Sequence, residues 1–172
     1  ALAEAEVEYK DIISSAVCVN FKILNTSNLS SYKNINNELD VFIPIWTTTP
    51  WTLPANRAVA LSNTINYVVV KTENKYLVIA KNLVVSVMEK SGLTDYEILD
   101  EFKNDDFIHL ELQHPFYDLT VPAITADHVT DENGTGAVHI APGHGTDDYL
   151  AGIKNNLEVY NPVDDYGRFI EA

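Results

Sequence analysis

The sequence predicts an α+β domain, with a β-barrel-like core of mostly antiparallel strands and a few flanking helices. Three observations predict it. Short apolar or alternating runs recur along the chain and are separated by polar, Gly- or Pro-containing turns. Only one or two stretches carry helical spacing. There is no internal repeat, and nothing reads as strand–helix–strand units that would build a parallel sheet.

Taken in order, Val17, Val19, Phe21 and Ile23 alternate with smaller or more polar neighbours and predict a strand. Cys18 within it reads as a buried core thiol. Residues 25–40 are rich in Asn and Ser and predict a loop. Residues 41–46 form a short apolar strand, in which Pro44 suggests an edge or a bulge. Residues 67–71 and 76–80 predict a hairpin turning through Thr72-Glu-Asn-Lys75. Leu83, Val84, Val87 and Met88 lie on one helical face, with Gly92 as the stop. Shorter strands are expected at 96–100, 107–112 and 119–124. A glycine-punctuated strand is expected at 134–141. Thr146 is placed to cap a helix from Asp147 to about Asn155.

Composition narrows the classes. The chain has 172 residues, 46% of them hydrophobic, enough for one domain with a real core. No apolar run approaches the length of a membrane span, so no membrane partner is expected. The abrupt first residues read as a piece of a larger protein rather than as a signal peptide. The single cysteine forbids an internal disulfide and a multi-cysteine zinc site, and suggests a reducing compartment. The formal net charge of -14 argues against autonomous binding to nucleic acid. The acidic runs at 4–8 and 100–106 read as solvated surface.

Two segments could carry chemistry. The first, Trp46-Thr-Thr-Thr-Pro-Trp-Thr-Leu-Pro-Ala-Asn56, puts four threonines into six residues at a strand end. Its hydroxyls and free N–H groups can orient a polar substrate or a water, or can simply bond their own backbone. The second is Gly134-Thr-Gly-Ala-Val-His139-Ile-Ala-Pro-Gly-His144-Gly-Thr-Asp147-Asp148-Tyr149. It reads as strand, glycine turn and helix start. Asp147 and Asp148 fall in a first helical turn, where they can hold an ammonium or merely stabilise the helix. His139 can be a ligand-facing group or a satisfied structural histidine. Gly143-His-Gly145 opens like a dinucleotide fingerprint, but Asp148 stands where the third glycine belongs. A metal held by His139, His144 and the aspartates matches no specific spacing, so no metal site is assigned. His109, His114 and His128 show no partner in the sequence.

These two segments resemble the editing insertion of class I aminoacyl-tRNA synthetases of the branched-chain group. Thr47 to Asn56 is similar to the threonine-rich peptide of that insertion, Gly134 to Tyr149 to its second motif, and Ala3 to Tyr9 to its opening. Thr49, Trp51 and His139 follow the isoleucyl pattern. A valyl or leucyl relative would carry Arg and an acidic residue in the first motif, and Lys or Met in place of His139. Thr146, where some members carry Pro, and the Asn-rich stretch at 25–40 are mild departures.

The resemblance implies the fold of a class I synthetase editing domain spanning residues 1–172. It also implies hydrolysis of mischarged valyl-tRNA(Ile), releasing valine and intact tRNA. The implied catalytic group is Asp148, Thr48, Thr49 and His139. The implied substrate-binding group is Thr47, Thr52, Trp51, Asn56, Gly136, Ala137, Val138, His144 and Asp147. Asp148 would pair with the α-ammonium of the ester, His139 would limit side-chain size, and Asn56 would support the threonine peptide or the terminal adenosine. No cofactor is expected for editing. ATP and Mg would serve the parent enzyme outside this chain, whose own synthesis signatures are absent. The expected partners are the 3′ terminus of tRNA(Ile) carrying valine and the rest of the synthetase chain, in the cytoplasm or an organelle. The alternatives are a non-catalytic tRNA-positioning module and a metal-dependent hydrolase.

Overall fold

The computed structural model describes residues 15–29, 35, 38–102, 107 and 109–170. The described residues contain nine strands: β1 (Val17–Ile23), β2 (Val41–Thr47), β3 (Ala58–Leu61), β4 (Tyr67–Lys71), β5 (Tyr76–Ala80), β6 (Glu97–Phe102), β7 (Glu111–Gln113), β8 (Thr120–Thr125) and β9 (Val138–Ile140). Two helices, α1 (Val84–Lys90) and α2 (Thr146–Lys154), flank them. The strands form one sheet in the order β6-β4-β5-β2-β1-β7-β8-β3-β9. Most neighbours run antiparallel, while β2–β5 and β3–β8 are parallel. The strip bends until β9 lies against β2, but its end strands β6 and β9 do not pair, so the barrel-like sheet stays open.

Period-two alternation explains β1. Its odd positions turn inward, with Phe21 and Ile23 fully buried, while Cys18, Asn20 and Lys22 share the other face. Cys18 is therefore exposed, not a core thiol as expected. Pro44 also sits differently from the expectation. β2 is interior, between β5 and β1, and Pro44 pairs with Asn20. A proline fits there because β5 pairs only with Val41 and Phe42, leaving that flank of β2 without a ladder at Pro44.

The β4–β5 hairpin turns where expected. Lys71 faces Tyr76, and the Thr72 N–H donates to the Lys75 carbonyl at 2.9 Å. Helix α1 buries Val84, Val87 and Met88, and Gly92 (φ +67°) ends it. Residue 107 lies in a turn before β7, and Phe107 stacks on Phe102 at 5.2 Å, so the expected strand at 107–112 shortens to Glu111–Gln113. The expected loop at 25–40 opens on a 3-10 turn, Thr26–Leu29. Most of its remainder, the acidic run at 4–8, the motif at Ala3 to Tyr9 and most of the run at 100–106 lie outside the described residues.

Two expectations near the second motif need correction. Only Val138–Ile140 is strand, because Gly134 (φ +78°) and Gly136 (φ +81°) turn the chain before it. Helix α2 begins one residue earlier than expected. Gly145 takes the cap position and Thr146 lies inside the first turn, with no side-chain cap. Strand β3 was not expected at all. All four of its residues are buried between β8 and β9, so it shows no alternation.

Candidate functional site

The threonine segment folds as it does because β2 ends at Thr47 and two prolines follow. Pro50 and Pro54 sit in a 3-10 turn, Pro50–Ala55, where proline's fixed φ is tolerated and its missing N–H costs little. Thr47 is buried, and its Oγ1 accepts the Thr49 N–H at 3.0 Å. Thr48, Thr49 and Trp51 are exposed, and Thr52 turns inward.

Thr52 connects the two motifs. Its hydroxyl donates to the Thr49 carbonyl at 2.9 Å and lies 3.0 Å from His139 Nε2 on β9. A hydroxyl has one proton to give. With that proton on the Thr49 carbonyl, His139 Nε2 must be the donor, which fixes the ring as the Nε2–H tautomer. His139 Nδ1 is then an acceptor, and it is buried without a hydrogen-bond partner among the described residues. Burial, with lesser contributions from His114 and His144, pushes the His139 pKa down to about 4, so the ring is neutral at physiological pH.

Asn56 closes the turn. It is fully buried, and its amide nitrogen donates to the carbonyls of Ala58 (2.7 Å) and Ile140 (3.5 Å). Its Oδ1 has no partner among the described residues. The backbone N–H of Arg57 donates to the same Ile140 carbonyl at 2.8 Å. Asp148, in the first turn of α2, accepts the Ala141 N–H through Oδ2 at 2.8 Å. Burial raises its pKa, against the lowering effect of that hydrogen bond and of His128. The end of β9 therefore connects to Thr52 through His139, to Asn56 through Ile140, and to Asp148 through Ala141.

The other expected positions are placed as follows. Gly136 packs closely on Ala80 of β5, and its carbonyl accepts the buried Tyr67 hydroxyl at 2.6 Å. Ala137 is buried and Val138 half-buried, paired with Ala60 across β3. The backbone N–H of His144 donates to the Ala141 carbonyl at 2.9 Å, and the His144 Nε2 is buried without a partner among the described residues. Asp147 is exposed and lines a separate groove beside α2 with Thr125, His128, Leu150 and Lys154. Among the described residues no three His, Cys, Asp or Glu side chains gather as metal ligands. No helix among them is long and apolar enough to cross a membrane.

Two residues escaped the sequence reading. His114 is buried beneath the threonine turn and bonds the Leu53 carbonyl at 3.0 Å. Arg57 reaches the segment after α2, with Glu158 at 3.0 Å and its guanidinium 4.3 Å over the Tyr160 ring. A histidine whose partners are main-chain atoms leaves no sequence signal. An Arg–Glu pair about a hundred residues apart leaves little more.

Comparison with known proteins places the chain in a family. The family described as "Leucyl-tRNA synthetase, editing domain" matches residues 28–167. An isoleucine–tRNA ligase of Coxiella burnetii is 49% identical over 99% of the chain, and one of Vibrio campbellii 47% over the same share. The chain spans 19% of the length of these curated relatives. In three dimensions it resembles the P. knowlesi cytosolic leucyl-tRNA synthetase editing domain, with a TM-score of 0.69 at 12% identity, covering 82% of this chain and 62% of that one. That likeness concerns the fold. With both motifs joined at one strand end, the chain belongs to the synthetase editing-domain family, and within it is recognised as the editing domain of an isoleucyl-tRNA synthetase.

Proposed function

We propose that this domain hydrolyses the ester of valyl-tRNA(Ile) within its parent synthetase, releasing valine and intact tRNA. The supporting observation is the linkage at the end of β9. Thr52 and His139 meet at 3.0 Å, and Asp148 is anchored two residues beyond His139. A hydroxyl-rich turn and a carboxylate at a helix start are thus each hydrogen-bonded to the segment from His139 to Ala141.

Isoleucine and valine differ by one methylene, a weak handle for a single binding site, and this pair is the standard illustration of that limit. A second site that excludes the larger side chain by overlap discriminates better. His139 supplies that wall, held rigid by its bond to Thr52. Asp148 holds the α-ammonium in a charge-assisted bond while Ala141 orients its carboxylate. Thr48 and Thr49 present hydroxyls at the exposed rim and orient the ester or the water. The water oxygen attacks the ester carbonyl carbon, and the bond to the ribose oxygen breaks. The proton lost by water returns to that ribose oxygen, and a neighbouring ribose hydroxyl assists the attack. Asn56 supports the turn. With a net charge of -14, this domain relies on other parts of the parent for most of its tRNA affinity.

The test is deacylation by the parent enzyme. Asp148→Ala is expected to lose hydrolysis of valyl-tRNA(Ile), and full retention removes Asp148 from the site. His139→Ala is expected to gain hydrolysis of isoleucyl-tRNA(Ile), and if cognate hydrolysis stays negligible the size-filter role is wrong.

A further inference from the structure

We propose that His114 is a positioning residue of the editing site: through its bond to the Leu53 carbonyl it holds the threonine turn where Thr52 can fix the His139 ring. The inference rests on the editing reading above and adds a residue outside both motifs.

His114 follows β7 directly. Its ring is almost fully buried, in contact with Phe21, Phe116 and Tyr117. Nδ1 faces the backbone N–H groups of Phe116 (3.4 Å) and Tyr117 (3.2 Å). Both are donors, so Nδ1 is unprotonated. Nε2 must then carry the proton that it gives to Leu53. Every hydrogen-bonding position of the ring is used. The loop that carries it is itself secured, because His114 N–H donates to Leu119 at 2.9 Å and Gln113 Nε2 to the Tyr117 carbonyl at 2.8 Å.

His114 anchors the turn from outside it. Two prolines remove N–H donors from Pro50–Ala55, and at its two ends the Thr52 N–H donates to the Thr49 carbonyl and the Asn56 N–H to the Leu53 carbonyl, both at 3.0 Å. The Leu53 carbonyl is shared by the Asn56 N–H, which closes the turn, and by His114, so this one oxygen ties the end of the turn to the residue after β7. Thr52 is its immediate neighbour in the chain. Losing the His114 bond frees the turn on the side where Thr52 approaches β9, so His139 keeps its chemistry but loses its fixed orientation. The effect belongs in discrimination between valine and isoleucine more than in binding the tRNA.

Two substitutions separate the two ends of the ring. A glutamine places an amide donor near the Nε2 position and can still reach Leu53. An asparagine places an acceptor near Nδ1, serving Phe116 and Tyr117, and falls short of Leu53. The parent enzyme carrying His114→Gln or His114→Asn is assayed for single-turnover deacylation of valyl- and isoleucyl-tRNA(Ile). In parallel, the 15N-histidine-labelled chain is followed at the His139 ring nitrogens. His114→Asn is expected to lower the valyl-to-isoleucyl rate ratio about tenfold and to shift the His139 resonances. His114→Gln is expected to stay near wild type in both. Equal behaviour of the two variants, or a ratio and His139 spectrum unchanged in His114→Asn, overturns the proposal. If wild-type enzyme does not deacylate valyl-tRNA, the editing reading fails separately. The His139 spectra still decide whether His114 positions that ring.

Discussion

The Thr52 hydroxyl and His139 Nε2, 87 residues apart in sequence, lie 3.0 Å apart and both are buried. This contact joins the two motifs and sets the tautomer of the histidine. Thr52→Val keeps the shape and removes the hydroxyl, leaving the His139 N–H without a partner. The expected cost is about 1–3 kcal/mol by urea unfolding, with Thr52→Ser recovering most of it. Equal stability of all three proteins would mean that the contact is not formed in solution.

The pH dependence of stability follows from His139. Its pKa falls from 6.5 to about 4 on folding, so between these values the unfolded chain binds more protons than the folded one. The stability is complete above pH 6.5 and is lost as pH falls towards 4, by about 3 kcal/mol at most. His114, also lowered chiefly by burial, acts in the same direction. Denaturant midpoints between pH 4 and 7 should shift less in His139→Phe than in wild type. Identical slopes would contradict the buried neutral ring.

Asp148 acts with the opposite sign. Its folded pKa is raised by burial, so its contribution is complete at low pH and is lost as pH rises through the folded value. Its ionised form is therefore held at some cost to the fold. Asp148→Asn keeps an acceptor for the Ala141 N–H and removes the buried charge. Its melting temperature at pH 7 is expected to equal or exceed that of wild type, while deacylation is lost. A clear fall in melting temperature would make Asp148 a structural residue first.

Gly136 is the sharpest packing constraint in the second motif. It adopts φ +81°, and a Cβ there would overlap the Ala80 methyl. Gly136→Ala is expected to cost about 3 kcal/mol or more, from backbone strain and overpacking together. Adding Ala80→Gly should recover only the packing part, because the strain remains. A neutral Gly136→Ala in thermal unfolding would refute this close approach.

What the sequence revealed followed local physics. Alternation located β1, the Thr72–Lys75 turn located the hairpin, and the spacing of Val84, Val87 and Met88 located α1. Strand β3 stayed invisible because burial on both faces erases alternation, and Ala58 and Ala60 resemble a linker as much as a strand. Cys18 was misplaced because apolar character alone does not tell which face of β1 turns inward; the burial of Phe21 and Ile23 does. Strand β9 was read too long because Gly134 and Gly136 leave the extended region. In the site, both motifs were legible from their residue types. The bond between Thr52 and His139 was not, since it depends on the pairing of β3 with β9. His114 was missed because its hydrogen-bond partners are backbone atoms, which no side-chain pattern marks.

The most direct measurement is a crystal structure of the domain with a non-hydrolysable valine-bearing analogue of the tRNA 3′ terminus. The analogue's ammonium is expected within hydrogen-bond distance of Asp148, its side chain against His139, and its ester mimic beside Thr48 and Thr49. An analogue bound elsewhere, or a structure in which Asp148 and the threonines face no common hollow, would contradict the editing site assigned to these residues.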